Sequence, residues 1–207
     1  MMKRRAFVLS APLALAACTA GRDEVRAPQA DIDRVAYVHP GPKRLTLMTM
    51  KNTGSGNGAH TGLLINASQR VLWDPAGSFG YSSIPERNDV HFGITPRIEQ
   101  FYLSFHSRVT FYTLIQEIDV SPQVAEQAMR LAIANGPTPQ AACTTDTSRM
   151  LAQLPRFESI GQTFFPNNLS DMFAKLPGVR EREYRENDAD DKSIAAAEID
   201  AALTADQ

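Results

Sequence analysis

His60-Thr61-Gly62-Leu63-Leu64-Ile65 and, about eighty residues later, Ala142-Cys143-Thr144-Thr145-Asp146-Thr147-Ser148 are the two stretches on which the fold of this chain turns. The first reads as a strand that opens with a histidine. Its next same-face residue is Gly62, and glycine there leaves room for a backbone or a ligand to come close. The second places the only cysteine of the body at the start of a helix, after the proline-broken loop Pro137-Thr138-Pro139. Helix N-termini stabilise a thiolate, because unpaired N–H groups and the positive end of the macrodipole lie near the sulfur. A histidine facing such a cysteine is the minimal equipment of a thiol nucleophile and its base. Backbone N–H groups of the same turn suit a developing oxyanion. Each residue also has a plainer reading. Cys143 fits a small buried apolar side chain, and His60 fits a surface or hydrogen-bonded core histidine.

Outward from these stretches the pattern is strands first, then helices. Residues 45–50 alternate apolar side chains with threonine, as a half-buried strand does. Residues 53–58 form a glycine-rich turn, residues 60–66 the next strand, and residues 70–74 a third strand after the turn 67–69. Two strands joined by a short polar loop make a hairpin. Asp74 ends the third strand, where a carboxylate in reach of His60 sets its tautomer and supports the imidazolium. Its alternative is a turn aspartate before Pro75. Residues 108–120 are rich in β-branched and aromatic side chains and read as a longer strand. Ser121-Pro122 opens the first clear helix, with serine as N-cap and proline in the first helical position. Gly136 stops that helix. A second helix begins near Cys143 and sends Met150, Leu151 and Leu154 inward. A third spans about 168–176. Strands followed by helices, without a βαβ repeat, indicate an α+β domain with an antiparallel sheet packed against helices.

Together these residues resemble the circularly permuted papain-fold hydrolases of the NlpC-like superfamily, which include YiiX-like lipoproteins and relatives of lecithin retinol acyltransferase. His60-Thr61-Gly62 matches the histidine element, Val71-Leu72-Trp73-Asp74 the polar residue on the next strand, and Ala142-Cys143-Thr144-Thr145 the later cysteine helix. Phe165-Pro166-Asn167-Asn168-Leu169 is similar to the proline-led helix that follows. The order histidine then cysteine is the reverse of papain. The resemblance covers roughly residues 45–178. It implies Cys143 as nucleophile, His60 as base and acid, and Asp74 as the orienting residue. Ala142 stands where many relatives carry asparagine, and Asp74 where histidine or glutamate is usual.

Composition and the N-terminus bound the setting. Hydrophobic residues make up 43% of the chain and charged residues 21%, an ordinary globular balance. The net charge of −2 excludes the basic face a nucleic-acid binder needs. Lys3-Arg4-Arg5 and the apolar run 6–17 read as a signal peptide, too short for a comfortable transmembrane helix. Leu15-Ala16-Ala17-Cys18 resembles a bacterial lipobox, which implies cleavage before Cys18 and lipidation of its thiol. Loss of Lys3, Arg4 and Arg5 takes the formal charge from −2 to −5, so the lipid alone would hold the protein to a membrane. Thr19 in place of aspartate points to the outer membrane. The expected organisation is a signal peptide at 1–17, a lipidated tether at 18–33, a permuted papain-like domain at 34–192 and a peripheral tail at 193–207.

Other features carry less. His39, His91 and His106, with Asp89, offer metal-ligand types, but no compact motif such as His-Glu-x-x-His is present, and neither metal nor cofactor is assigned. Phe101-Tyr102-Leu103-Ser104-Phe105 reads as core or cleft wall, and residues 180–192 as a solvated face or loop. The expected function is a lipid-anchored cell-envelope cysteine hydrolase that cleaves an amide bond in a peptidoglycan stem peptide or another peptide. Acyl transfer to or from lipid is the enzymatic variant. The alternative is an inactive lipoprotein that binds a peptide, glycan or protein in the same cleft.

Overall fold

A computed structural model of the protein describes residues 26–81 and 83–205. The signal peptide, Cys18 and the first part of the tether lie outside the described residues. In chain order the elements are α1 (Gln29–Val35), β1 (Arg44–Asn52), β2 (Gly58–Asn66), β3 (Arg70–Trp73), β4 (Glu86–Arg87), β5 (Val90–Phe92), α2 (Pro96–His106), β6 (Phe111–Asp119), α3 (Pro122–Ala134), α4 (Cys143–Leu151), α5 (Pro166–Ala174), β7 (Arg180–Tyr184) and α6 (Lys192–Ala205).

Among the described residues the strands form one sheet in the order β4-β5-β3-β2-β1-β6-β7, and every pair is antiparallel. The molecule is therefore α+β with an antiparallel sheet, as the strand and helix patterns require. Side chains alternate across the pleat, so each central strand feeds two cores. Leu45 and Leu47 of β1 and Leu63 and Ile65 of β2 join helices α1, α3, α4 and α5 on one face. Met48, Met50 and Leu64 join α2 and α6 on the other. Burial on both faces is why these strands are rich in apolar residues on both parities. Each fully covered leucine or isoleucine there contributes roughly 1.5–3 kcal/mol.

Local signals account for most element ends. The Ser121 side chain accepts the Val124 N–H and caps α3, and Gly136 takes a positive φ of 74° just after it. Thr95 caps α2 in the same way, accepting the Ile98 N–H, with Pro96 in the first turn.

Four expectations change. Helix α2, whose cap signal matches that of α3, stands between the strands and contains the aromatic run. Residues 180–184 are a strand, β7, paired to β6; its exposed Arg and Glu side chains suit a sheet edge that must not recruit another chain. The tail at 193–207 is not peripheral where it is described: Ala195 and Ile199 of α6 are buried in the second core. The body also begins ahead of residue 34, since Ile32 of α1 is 2% exposed and Arg26 bridges to Arg87.

Candidate active site

His60 sits near the start of β2, and two local features aim it. Met50 pairs with His60 while Lys51 pairs with Gly58, so Ala59 is an extra residue on β2. Such a bulge bends the strand and re-aims the next side chain. β3 pairs with β2 only from Leu63 to Asn66, so the stretch with His60 and Thr61 has β1 on one side and no β3 on the other. The start of α4 comes to this open edge. A buried hydrogen bond of 3.0 Å between the hydroxyls of Thr61 and Thr144 pins α4 to β2.

Asp74 follows directly on β3. One oxygen, Oδ1, accepts from His60 Nε2 at 2.7 Å and from the Tyr102 hydroxyl at 2.6 Å. Two glycines make this packing possible. A Cβ on Gly62 would lie 2.2 Å from the Tyr102 hydroxyl, and one on Gly77 would lie 1.6 Å from Asp74 Oδ2. The room foreseen at Gly62 is thus filled by Tyr102 of α2.

Because Asp74 takes Nε2, Nδ1 is the His60 nitrogen left for the thiol. Cys143 is 7% exposed, and its α4 has no side-chain cap at Ala142, so the first-turn N–H groups are not consumed by a capping oxygen. Burial raises the Cys143 pKa, but a hydrogen bond and the charge of His60, the Thr144 hydroxyl and the Thr61 N–H outweigh it and hold the thiol below its ordinary value. Burial likewise opposes charge on His60. Asp74, by charge and hydrogen bond, and Cys143 overcome this and push its pKa up to about 10. Asp74 itself is carried below the usual carboxylate range, since His60, with smaller help from His106 and His91, outweighs burial. His60 is thus held by Asp74 on one side and coupled to Cys143 on the other, and the mutual charges of the three groups favour their ionised forms.

Sequence reasoning missed two partners on α2. Tyr102 anchors Asp74. His106 stacks on His60, with ring centroids 5.9 Å apart and planes 19° from parallel. Its Nδ1 lies 2.9 Å from the Tyr102 carbonyl, which accepts the Nδ1–H. Burial first, and the charge on His60, bring the His106 pKa down to about 4 despite Asp74. The two imidazoles therefore differ in charge at neutral pH. The missed signal was the i, i+4 pair Tyr102–His106 behind the Thr95-Pro96 helix start, which places both on one face.

The metal-type residues do not gather as the sequence reading weighed them. His39 lies beside Tyr37, and His91 packs edge-on against Phe79. Asp89 accepts from the Thr138 N–H. Among the described residues a different trio, His60, Asp74 and His106, brings ligand-type atoms within 4.8 Å of one another. A cation there would have to displace the proton shared by His60 and Asp74. A cavity of about 300 Å³ opens beside His60 and His106. Among the described residues no helix is long and apolar enough to cross a membrane. Comparison of the chain with family models, with curated proteins and with solved structures finds no match.

Proposed function

We propose that this protein is a cysteine hydrolase that opens an amide bond through a thioester, with a permuted papain-like fold of the NlpC-like kind. The observation that carries this reading is a buried Cys143 at the start of α4, electrostatically coupled to a His60 whose Nε2 is held by Asp74 at 2.7 Å. The Cys143 thiolate attacks the carbonyl carbon, a C–S bond forms, and the carbonyl π pair moves to oxygen, facing N–H groups at the start of α4. When the C=O bond reforms, the C–N bond breaks and the departing nitrogen takes the proton from His60 Nδ1. His60, now neutral, removes a proton from water as it attacks the thioester. His60 keeps that proton as the C–S bond breaks, so the carboxylic acid leaves and the thiolate–imidazolium pair is restored. Asp74 holds the ring and its charge throughout and takes no proton. The basic leader Lys3-Arg4-Arg5 and the lipobox-like Leu15-Ala16-Ala17-Cys18 support a lipid-anchored place in the cell envelope, where stem peptides of peptidoglycan or other peptides are at hand.

Alkylation by iodoacetamide, followed from pH 4 to 10, tests the charge state. Cys143 is expected to approach its plateau rate at a lower pH than an ordinary thiol does, because His60 lowers its pKa. In His60→Ala the rate should climb only through the ordinary thiol range near about 8.5. A wild-type profile that climbs in that same range would rule the ion pair out. Turnover of p-nitrophenyl acetate should vanish in Cys143→Ala, and persistence of turnover there would remove the thiol from the mechanism.

A further inference from the structure

The cavity of about 300 Å³ beside the site is lined by His60 but not by Cys143, and this asymmetry has a chemical direction. In acyl transfer to a thiol, the acyl group stays on sulfur. The leaving group takes its proton from the imidazole and departs on the imidazole's side. Met50, Ala59, Phe105 and Phe111 supply apolar walls, and His106 a further ring. Arg108 reaches the lining, but its guanidinium is engaged by Glu186 at 2.8 Å, by Asp188 and by Ser104. Lys192 and Asp190 at the lining carry opposite charges, so they give no net preference for either sign. Lys192 lies over the Phe105 ring at 4.2 Å, and Asp190 accepts from the Thr110 N–H at 3.2 Å and from its hydroxyl.

We propose that this cavity is the subsite for the leaving group, and that it selects an amine with an apolar body of about the bulk of a leucine or phenylalanine side chain. The inference rests on the thiol-hydrolase reading. Apolar walls gain from covering apolar surface, whereas a charged leaving group would lose its hydration with no free counter-charge in return. His106 gives its Nδ1–H to the Tyr102 carbonyl, which leaves Nε2 as the acceptor nitrogen of a ring in the lining. A departing amine that has just gained a proton from His60 has an N–H to offer it. The bulge residue Ala59 has the smallest side chain among the lining residues, so its size sets how much of the cavity remains.

The reverse reaction tests this directly. The enzyme is acylated with p-nitrophenyl acetate in the presence of phenylalaninamide or glycinamide, two amines of similar basicity. The acetylated amine is measured against acetate. This ratio compares two fates of one acyl-enzyme, so a change in the rate of acylation cancels. Phenylalaninamide is expected to capture the acyl group at least tenfold better than glycinamide and to saturate. Ala59→Leu, which fills the cavity from β2, should cut that preference below threefold. Phe111→Ala, which enlarges the cavity, should move the preference toward tryptophanamide and serves where Ala59→Leu does not fold. Equal capture of the two amines, or a preference unchanged in both variants, overturns the subsite while acetylated Cys143 still forms. An effect of Ala59→Leu on hexanoyl but not acetyl esters, with amine capture unmoved, assigns the cavity to the acyl group and also overturns it. Absence of acetylated Cys143 by mass spectrometry overturns the hydrolase reading itself.

Discussion

Asp74 is the residue through which the site is wired, because a single oxygen receives both His60 Nε2 and the Tyr102 hydroxyl. Its neighbours were chosen by size as much as by polarity. Gly77→Ala would drive a methyl group to 1.6 Å from Asp74 Oδ2. The carboxylate must then turn or the backbone must shift, so a loss of roughly 1–3 kcal/mol in stability should accompany a loss of turnover. Urea denaturation and ester hydrolysis on the same preparation check both. Turnover should rank the remaining variants: Cys143→Ala and His60→Ala are both near background, since nucleophile and base act as a unit. Asp74→Asn should retain more, because an amide still positions the ring but no longer supports its charge. An Asp74→Asn variant as dead as His60→Ala would mean that Asp74 does more than orient. The pairing of His60 with Asp74 was legible because a short hairpin brings the two onto adjacent strands. Tyr102 was not, since nothing in a single sequence says which helix will cover Gly62.

At the scale of elements, the site is a junction of three: β2, α4 and α2. The Thr61–Thr144 hydroxyl pair is a direct bond between β2 and α4 beside the sulfur. Thr144→Val keeps the shape and removes the bond, and it leaves the Thr61 hydroxyl buried without that partner. A stability cost of roughly 1–3 kcal/mol follows. The sharper readout is the alkylation profile of Cys143, which should move to higher pH because the Thr144 hydroxyl and the Thr61 N–H both lower its pKa. A profile that stays in place would show that this contact is structural only. The bulge at Ala59 and the early end of β3 were not legible. Both depend on register between strands, and a one-residue change in register leaves the apolar pattern of each strand unaltered. Helix α2 was legible in principle: Thr95-Pro96 is as good a start as Ser121-Pro122. Its run Phe101-Tyr102-Leu103-Ser104-Phe105 is apolar on nearly every side and so hides the helical period.

For the whole molecule, the buried His106 sets the acid limb of the pH dependence of stability. Brought down to about 4 from 6.5, it is neutral in the fold while the unfolded chain binds a proton. Its contribution is full above about pH 6.5 and is lost as pH falls toward 4. His60, pushed up to about 10, acts in the opposite sense as pH rises above about 6.5, but the lowered pKa of Cys143 opposes it, because a thiolate–imidazolium pair holds as many protons as the thiol and neutral imidazole of the unfolded chain. Stability should therefore fall from about pH 6.5 toward 4, and urea midpoints measured across that range check this. His106→Phe should flatten this acid limb, and a limb unchanged in that variant would contradict the neutral state assigned to His106. Anchoring is a separate prediction. Cys18→Ser should leave the protein unlipidated, seen as loss of palmitate label and release from the membrane fraction, and equal labelling of mutant and wild type would dismiss the lipobox.

What the sequence by itself determined is local in origin. Alternating β1, the capped α3, the His60–Asp74 hairpin and a cysteine opening a helix all follow from periodicity, caps and turns that act within a dozen residues. The α+β class follows from their order. The tertiary structure alone decided that Thr61 bonds Thr144 across 83 positions of chain, that Tyr102 fills the space over Gly62, and that α6 covers the second core. The first of these brings the neighbourhoods of His60 and Cys143 together. Such contacts depend on which buried faces find each other when the sheet closes. That choice is a property of the packed whole, and each surface taking part in it is compatible, read alone, with several partners.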